Sequence, residues 1–225
     1  MKPMISIAAC AVTLATSLSA ANVVGGKVSF VTKRGQKPVI SETLIWLEPI
    51  GTRAPKPAPG NFQMVTRGKM VVPHVLAIPA GSTVEFPNDD PISHNLFSLS
   101  SSNSFDLGLY RRGAGKSQRF DNPGMVNVYC NVHPNMSAVI QVMSTPYYAF
   151  ADQTGSYALA NVPAGRYRLI AWNEQGGQIE SPIEVTTAGT VSGSVALMLD
   201  SRNYRLTQHL NKIGKPYEPP SLKDY

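Results

Sequence analysis

Gly124-Met125-Val126-Asn127-Val128-Tyr129-Cys130 runs into Asn131-Val132-His133-Pro134-Asn135-Met136, and Ser137 to Met143 follows. Both flanks alternate apolar and polar residues with period two, the pattern of strands with one buried face. In the first flank Val126, Val128 and Cys130 share a face while Asn127 and Tyr129 point the other way, so Cys130 ends a buried strand face. Cys130, His133 and Met136 then recur at intervals of three residues, which puts a thiolate, an imidazole and a thioether on one short loop where a single ion can gather them. His94, in Ser93-His94-Asn95-Leu96-Phe97, lies in an earlier loop and is the candidate fourth donor.

The donor types select the ion. Structural zinc closes with four cysteine or histidine ligands, and a methionine sulfur is a poor zinc donor. Two imidazoles, one thiolate and a weak thioether suit copper in both Cu(I) and Cu(II), so little rearrangement accompanies a change of oxidation state. Each residue alone has a plainer reading: a buried cysteine as a small apolar filler, a histidine near a turn as a surface residue, Met136 as core packing. A nucleophilic Cys130–His133 pair is a further alternative, but no oxyanion donors or orienting acid accompany it.

The whole chain of 225 residues is 43% apolar and only 15% charged, with 18 glycines and 18 prolines, a balance that favours β-structure over helices. A net charge of +6 without a run of five like charges gives no nucleic-acid tail. At the N-terminus, Lys2, the apolar stretch Ile5 to Leu18 and the small residues Ser19-Ala20-Ala21 read as a signal peptide over residues 1–21, cleaved before Asn22. Ile7-Ala8-Ala9-Cys10 comes too early for a lipoprotein cleavage box. Export therefore leaves Cys130 as the single cysteine, in an oxidising compartment where a lone thiol needs burial, a partner or a metal. No later stretch is apolar enough to span a bilayer, so stable membrane insertion is not expected.

Strand-like runs cover Lys27 to Val31 and Glu42 to Leu47, and Gly51 to Gly60 carries three prolines and reads as a linker. Short strands continue through residues 61–143. Further period-two runs are marked by Tyr157 and Leu159, by Tyr167, Leu169 and Ala171, and by Val191, Val195, Leu197 and Leu199. Trp46 and Trp172 read as sandwich core, and residues 200–225 as a basic, extended tail.

Over residues 61–145 the chain resembles the cupredoxins, and its Cys-x-x-His-x-x-Met loop resembles that of the amicyanins. The resemblance rests on Gly81-Ser82-Thr83-Val84-Glu85-Phe86-Pro87-Asn88, the His94-Asn95 pair, the Cys130 loop and the closing strand Ala138 to Val142. It implies one type 1 copper on His94, Cys130, His133 and Met136, with Asn95 bracing the ligand loop and the exposed His133 edge as the electron exit. Leu99 to Gln118, containing Leu107-Gly108-Leu109-Tyr110-Arg111-Arg112, departs from a simple amicyanin and offers a basic docking surface.

A second resemblance, to transthyretin-like, carboxypeptidase-regulatory sandwiches, rests on Ala151 to Leu159 and Val162 to Leu169. The usual opening of such modules appears far upstream, in Gly26-Lys27-Val28 and Gly35-Gln36-Lys37-Pro38-Val39. The order of parts resembles bacterial methylamine utilization proteins. The expected fold is all-β: a cupredoxin Greek-key β-sandwich over 61–145, inserted after the 51–60 linker into a second, small transthyretin-like sandwich made of 22–50 and 146–199.

The expected function is a periplasmic or secreted one-electron carrier, not an enzyme, docking to redox partner proteins; Arg111, Arg112 and Arg119 read equally as a solvated face or as a docking patch for an acidic partner. The four histidines are too few for a second multi-histidine copper centre. Copper delivery or sensing, and a ligand-binding sandwich with a vestigial site, are the alternatives. His74, in Pro73-His74-Val75, stays open between a strand-end residue and a metal or docking role.

Overall fold

The computed structural model describes residues 22–217; the expected signal peptide and the end of the tail, 218–225, lie outside the described residues. Among the described residues the regular structure is all β-strand apart from two three-residue helical turns, Ile40–Glu42 and Ser101–Asn103. The protein is an all-β assembly of four sheets, packed in pairs.

One pair is built from the two ends of the chain. Leu44–Pro49 lies between Tyr148–Phe150 and Gly165–Asn173, all antiparallel, and Gly177–Val185 and Val191–Gly193 extend the sheet. Facing it, Val24–Val31 pairs antiparallel with Ser156–Leu159 and parallel with Ala196–Asp200. Val24, Val28, Ile45, Leu47, Leu159 and Leu169 are among the residues that fill the space between.

The other pair comes from the middle of the chain. Ser82–Asn88 lies between Gly113–Phe120 on one side and Asn61–Gln63 and Val65–Arg67 on the other, and Met70–Val72 closes that sheet. The opposing sheet runs Val75–Pro79, Ser137–Met143, Gly124–Cys130, Leu96–Ser98, Phe105–Asp106. Val126, Val128 and Cys130 all face inward, among Val84, Phe86, Phe120 and Ile140.

The continuous apolar run of Leu44 to Leu47 has a physical reason: its strand is buried on both faces. Ile45 and Leu47 point into the first core, whereas Leu44 and Trp46 point away from it. Leu169 and Ala171 split from Ile170 and Trp172 in the same way. The outward set meets Val75, Ala77, Val139 and Met143 on the outer face of the middle pair, so an apolar seam joins the two halves. Trp46 and Trp172, expected inside a sandwich, belong to this seam. Period-two reading shows that a side chain is buried but not which of two cores receives it.

A second departure concerns Val191 to Leu199. The expected single strand is two, Val191–Gly193 beside Gly177–Val185 and Ala196–Asp200 beside Val24–Val31, in different sheets. The chain changes sheets just after Gly193, whose φ is +100° and whose missing Cβ would lie 2.6 Å from the Pro182 carbonyl oxygen.

Candidate metal centre

His94, Cys130 and His133 meet at one end of the middle pair of sheets. Backbone bonds hold each in place. His94 and Tyr110 exchange both N–H···O bonds, at 3.1 and 2.9 Å. The Cys130 N–H donates to the Met136 carbonyl at 3.0 Å and the Met136 N–H to the His133 carbonyl at 3.1 Å, which folds 130–136 into a tight loop. The Asn131 N–H reaches the Asn95 carbonyl at 2.8 Å, so the two ligand-bearing segments are tied to each other.

Cys130 Sγ lies 3.7 Å from Nδ1 of His94 and 3.7 Å from Nδ1 of His133, and all three donor atoms fall within 4.8 Å of one another. The imidazole rings sit 5.0 Å apart at 52°. An ion about 2.3 Å from a thiolate and about 2.0 Å from an imidazole nitrogen, with about 120° between them, would need those donors about 3.7 Å apart, so the triangle has the right size. His94 and Cys130 are fully buried, and His133 is half-buried. Burial first, then the His94 ring and Lys69, hold the His133 imidazole below its ordinary value against the pull of Asp90. That favours the neutral, metal-binding form.

Asp90 joins the centre from outside the donor set expected from the sequence. Its Oδ2 lies 2.8 Å from His94 Nε2 and also accepts the Lys69 N–H at 3.0 Å, while Oδ1 accepts the Gly68 N–H at 2.5 Å. Burial alone would raise its carboxyl, but the Lys69 and Gly68 amides and the His94 ring together hold it below the usual carboxylate range. An ionised Asp90 fixes the Nε2–H tautomer of His94 and turns the Nδ1 lone pair toward Cys130. The signal was present as a carboxylate four residues before the histidine, in Asn88-Asp89-Asp90-Pro91.

Met136 is buried in the same cluster as Cys130. Asn95 donates from Nδ2 to Asp106 Oδ1 at 2.6 Å, and its backbone, not its side chain, receives Asn131. The Leu99 to Gln118 segment returns to the centre through Tyr110 and leaves Leu109, Arg111 and Arg112 exposed. Arg119 is paired with Asp121 at 2.8 Å. His74 stands apart from the donor triangle: its Nε2 meets Glu174 Oε2 at 2.6 Å and its Nδ1 the Ser137 carbonyl at 3.1 Å, across the seam.

No protein-family model matches the chain, and no curated protein does. Among solved structures it is similar to a purple cupredoxin from Nitrosopumilus maritimus, at 26% identity over 36% of this chain and 98% of that one, with a TM-score of 0.32. It is also similar to an oxidised amicyanin variant, at 16% identity over 44% and 99%, with a TM-score of 0.35. A third is the copper-containing nitrite reductase NirK from Thermus scotoductus SA-01, at 25% identity and a TM-score of 0.35, where the match takes in 52% of this chain and 28% of the reductase. Among the described residues no helix is long and apolar enough to cross a membrane.

Proposed function

We propose that the chain is an exported type 1 copper protein that carries single electrons between partner proteins in the periplasm and catalyses no bond change itself. The observation that carries this reading is the triangle of His94 Nδ1, Cys130 Sγ and His133 Nδ1, with Asp90 bracing the buried imidazole. Met136, buried in the same cluster, is the weak thioether donor. Copper held there supplies a one-electron couple between Cu(I) and Cu(II).

The chain's own residues do the rest. Asp90 keeps His94 in the metal-binding tautomer, and Val126, Val128, Phe86 and Ile140 exclude water from the thiolate side. His133 reaches the surface and gives the electron its way out. Exposed Arg111 and Arg112 suit a partner with an acidic rim. In the same proposal residues 61–145 are a cupredoxin domain inserted into a transthyretin-like sandwich of 22–50 and 146–199. The pairing of Leu44–Pro49 with both Tyr148–Phe150 and Gly165–Asn173 supports that division.

The test is the visible spectrum of the mature protein loaded with Cu(II). An intense thiolate-to-copper band that disappears in Cys130→Ser is the expected result. A folded protein that stays colourless with Cu(II) overturns the reading.

A further inference from the structure

The chain does not end at the last strand. Ser201 is buried, its N–H donating to the Val31 carbonyl at 3.0 Å, so the following segment starts from the sandwich that lacks the donor triangle. From there it crosses to the other sandwich and lies over the ligand loop. His209 stacks on Tyr129, ring centroids 4.5 Å apart at 20°, and sets Nε2 3.3 Å from the His133 carbonyl oxygen. The Lys212 N–H donates to Asn131 Oδ1 at 3.0 Å, while its ammonium meets Asp106 at 2.7 Å. Tyr217 donates its hydroxyl to the Cys130 carbonyl at 2.7 Å and packs edge-on against His209, centroids 5.4 Å apart. A small turn keeps these three residues in register: the Asn211 and Lys215 backbones are joined at 2.8 Å, and Asn211 Oδ1 accepts the Lys215 N–H at 3.0 Å.

The targets of these contacts are what matter. Cys130, Asn131 and His133 are all reached, within four consecutive residues that include two corners of the donor triangle. The groups contacted are the Cys130 and His133 carbonyls and the Asn131 amide oxygen, and the segment that reaches them is itself mostly exposed. What it adds is a set of contacts that an outward swing of the loop would have to break.

We propose that Ser201–Tyr217 is a latch on the ligand loop, which sets how fast copper enters and leaves the centre. The copper half of this statement rests on the function proposed above. The latch itself is testable without metal.

The experiment uses the full mature chain, Tyr217→Phe, and the double variant His209→Ala/Tyr217→Phe. In the metal-free proteins the rate at which dithionitrobenzoate traps Cys130 measures opening of the loop. Loss of one net hydrogen bond should speed trapping by about fivefold, and the double variant, which also loses the stack on Tyr129, should exceed about 25-fold. Loss of Cu(I) from the loaded proteins to excess bathocuproine disulfonate should follow the same order. Trapping no faster in the double variant than in the wild-type chain overturns the latch. So does trapping that rises only in step with global unfolding in urea, because the segment would then be ordinary packing. Faster trapping in variants of a protein that shows no copper band leaves the latch standing and overturns the copper reading beneath it.

Discussion

Replacing Asp90 by asparagine keeps size and shape and removes one acceptor, which makes it a clean probe of how His94 is held. The carboxylate serves three donors: Gly68 N–H at Oδ1, and Lys69 N–H with His94 Nε2 at Oδ2. An amide has one oxygen. With that oxygen in the Oδ2 place, the NH2 group faces the Gly68 N–H and one of the three hydrogen bonds is lost; in the other orientation two are. A hydrogen bond to a charged acceptor is worth about 1.5–3 kcal/mol, so the better orientation predicts a loss of about 2 kcal/mol. In a chain of this size that is a fall in Tm of about 4–8 °C. On the copper reading the neutral amide oxygen at the Oδ2 place holds the His94 Nε2–H less firmly than the carboxylate does, and metal affinity should drop by about 10-fold. Thermal unfolding followed by circular dichroism gives the first quantity and competition with a chelator of known affinity the second. A variant that melts with the wild type and holds copper equally well would refute the claim that the carboxylate orients His94.

Two further outcomes follow from the contacts that frame the site. The His74–Glu174 pair lies across the seam, and the hydrogen bond to Glu174 raises the His74 imidazole above its ordinary value, despite burial and with help from the charges of Glu174 and Glu42. Its stabilising contribution is therefore complete below the unfolded value near pH 6.5 and fades as pH rises through the folded one. The Tm of the wild type should decline across about pH 6–8 more steeply than that of His74→Gln, and superimposable profiles would sink the argument. Gly115 sits at an irregularity in the pairing of Gly113–Phe120 with Ser82–Asn88, at φ +74°, where a Cβ would lie 1.8 Å from the Phe86 carbonyl oxygen. Gly115→Ala should lower stability by at least about 2 kcal/mol in urea denaturation, and an unchanged midpoint would mean that the two strands do not approach as described.

What could be read from the chain in advance follows a physical division. The Gly124–Cys130 strand and the loop after it are local features: period two orients Cys130, and the spacing of three places His133 and Met136 beside it. Leu44–Leu47 and Leu169–Trp172 are likewise legible as buried strands from their continuous apolar runs. Asp90 escaped because its role is created by tertiary approach. Gly68 and Lys69 arrive from the turn after Val65–Arg67, and only their amides, with His94, make an exposed-looking acidic pair into a buried anchor. Trp46 and Trp172 were assigned to the wrong core because burial on both faces gives a continuous apolar run with no label for either face. The tail escaped for a third reason. His209, Lys212 and Tyr217 are polar or amphipathic residues in an irregular segment, and their contacts with Cys130 and Asn131 span 81 to 87 positions of sequence. Neither periodicity nor composition registers such pairings.

These late-found contacts share a mechanical consequence. A six-residue connection between two strands has few internal restraints: here Cys130 to Met136 and Met136 to His133 are its own two backbone bonds. On the copper reading, donors that hold one geometry in two oxidation states need that loop stiffer than its length allows. The stiffness comes from outside. The Asn95 carbonyl holds Asn131, Asp90 holds His94 beside the loop, and the segment from Ser201 to Tyr217 bonds to Asn131 and Cys130. The sandwich without the donor triangle supplies two supports, the second additional to these three. One is that segment, rooted at Val31; the other is the Trp46–Trp172 face, which packs on Val139 and Met143 in the strand leaving the loop. On this argument the second sandwich is the rigid frame of the metal loop, and loosening the seam should reach the centre even though no seam residue belongs to the donor triangle.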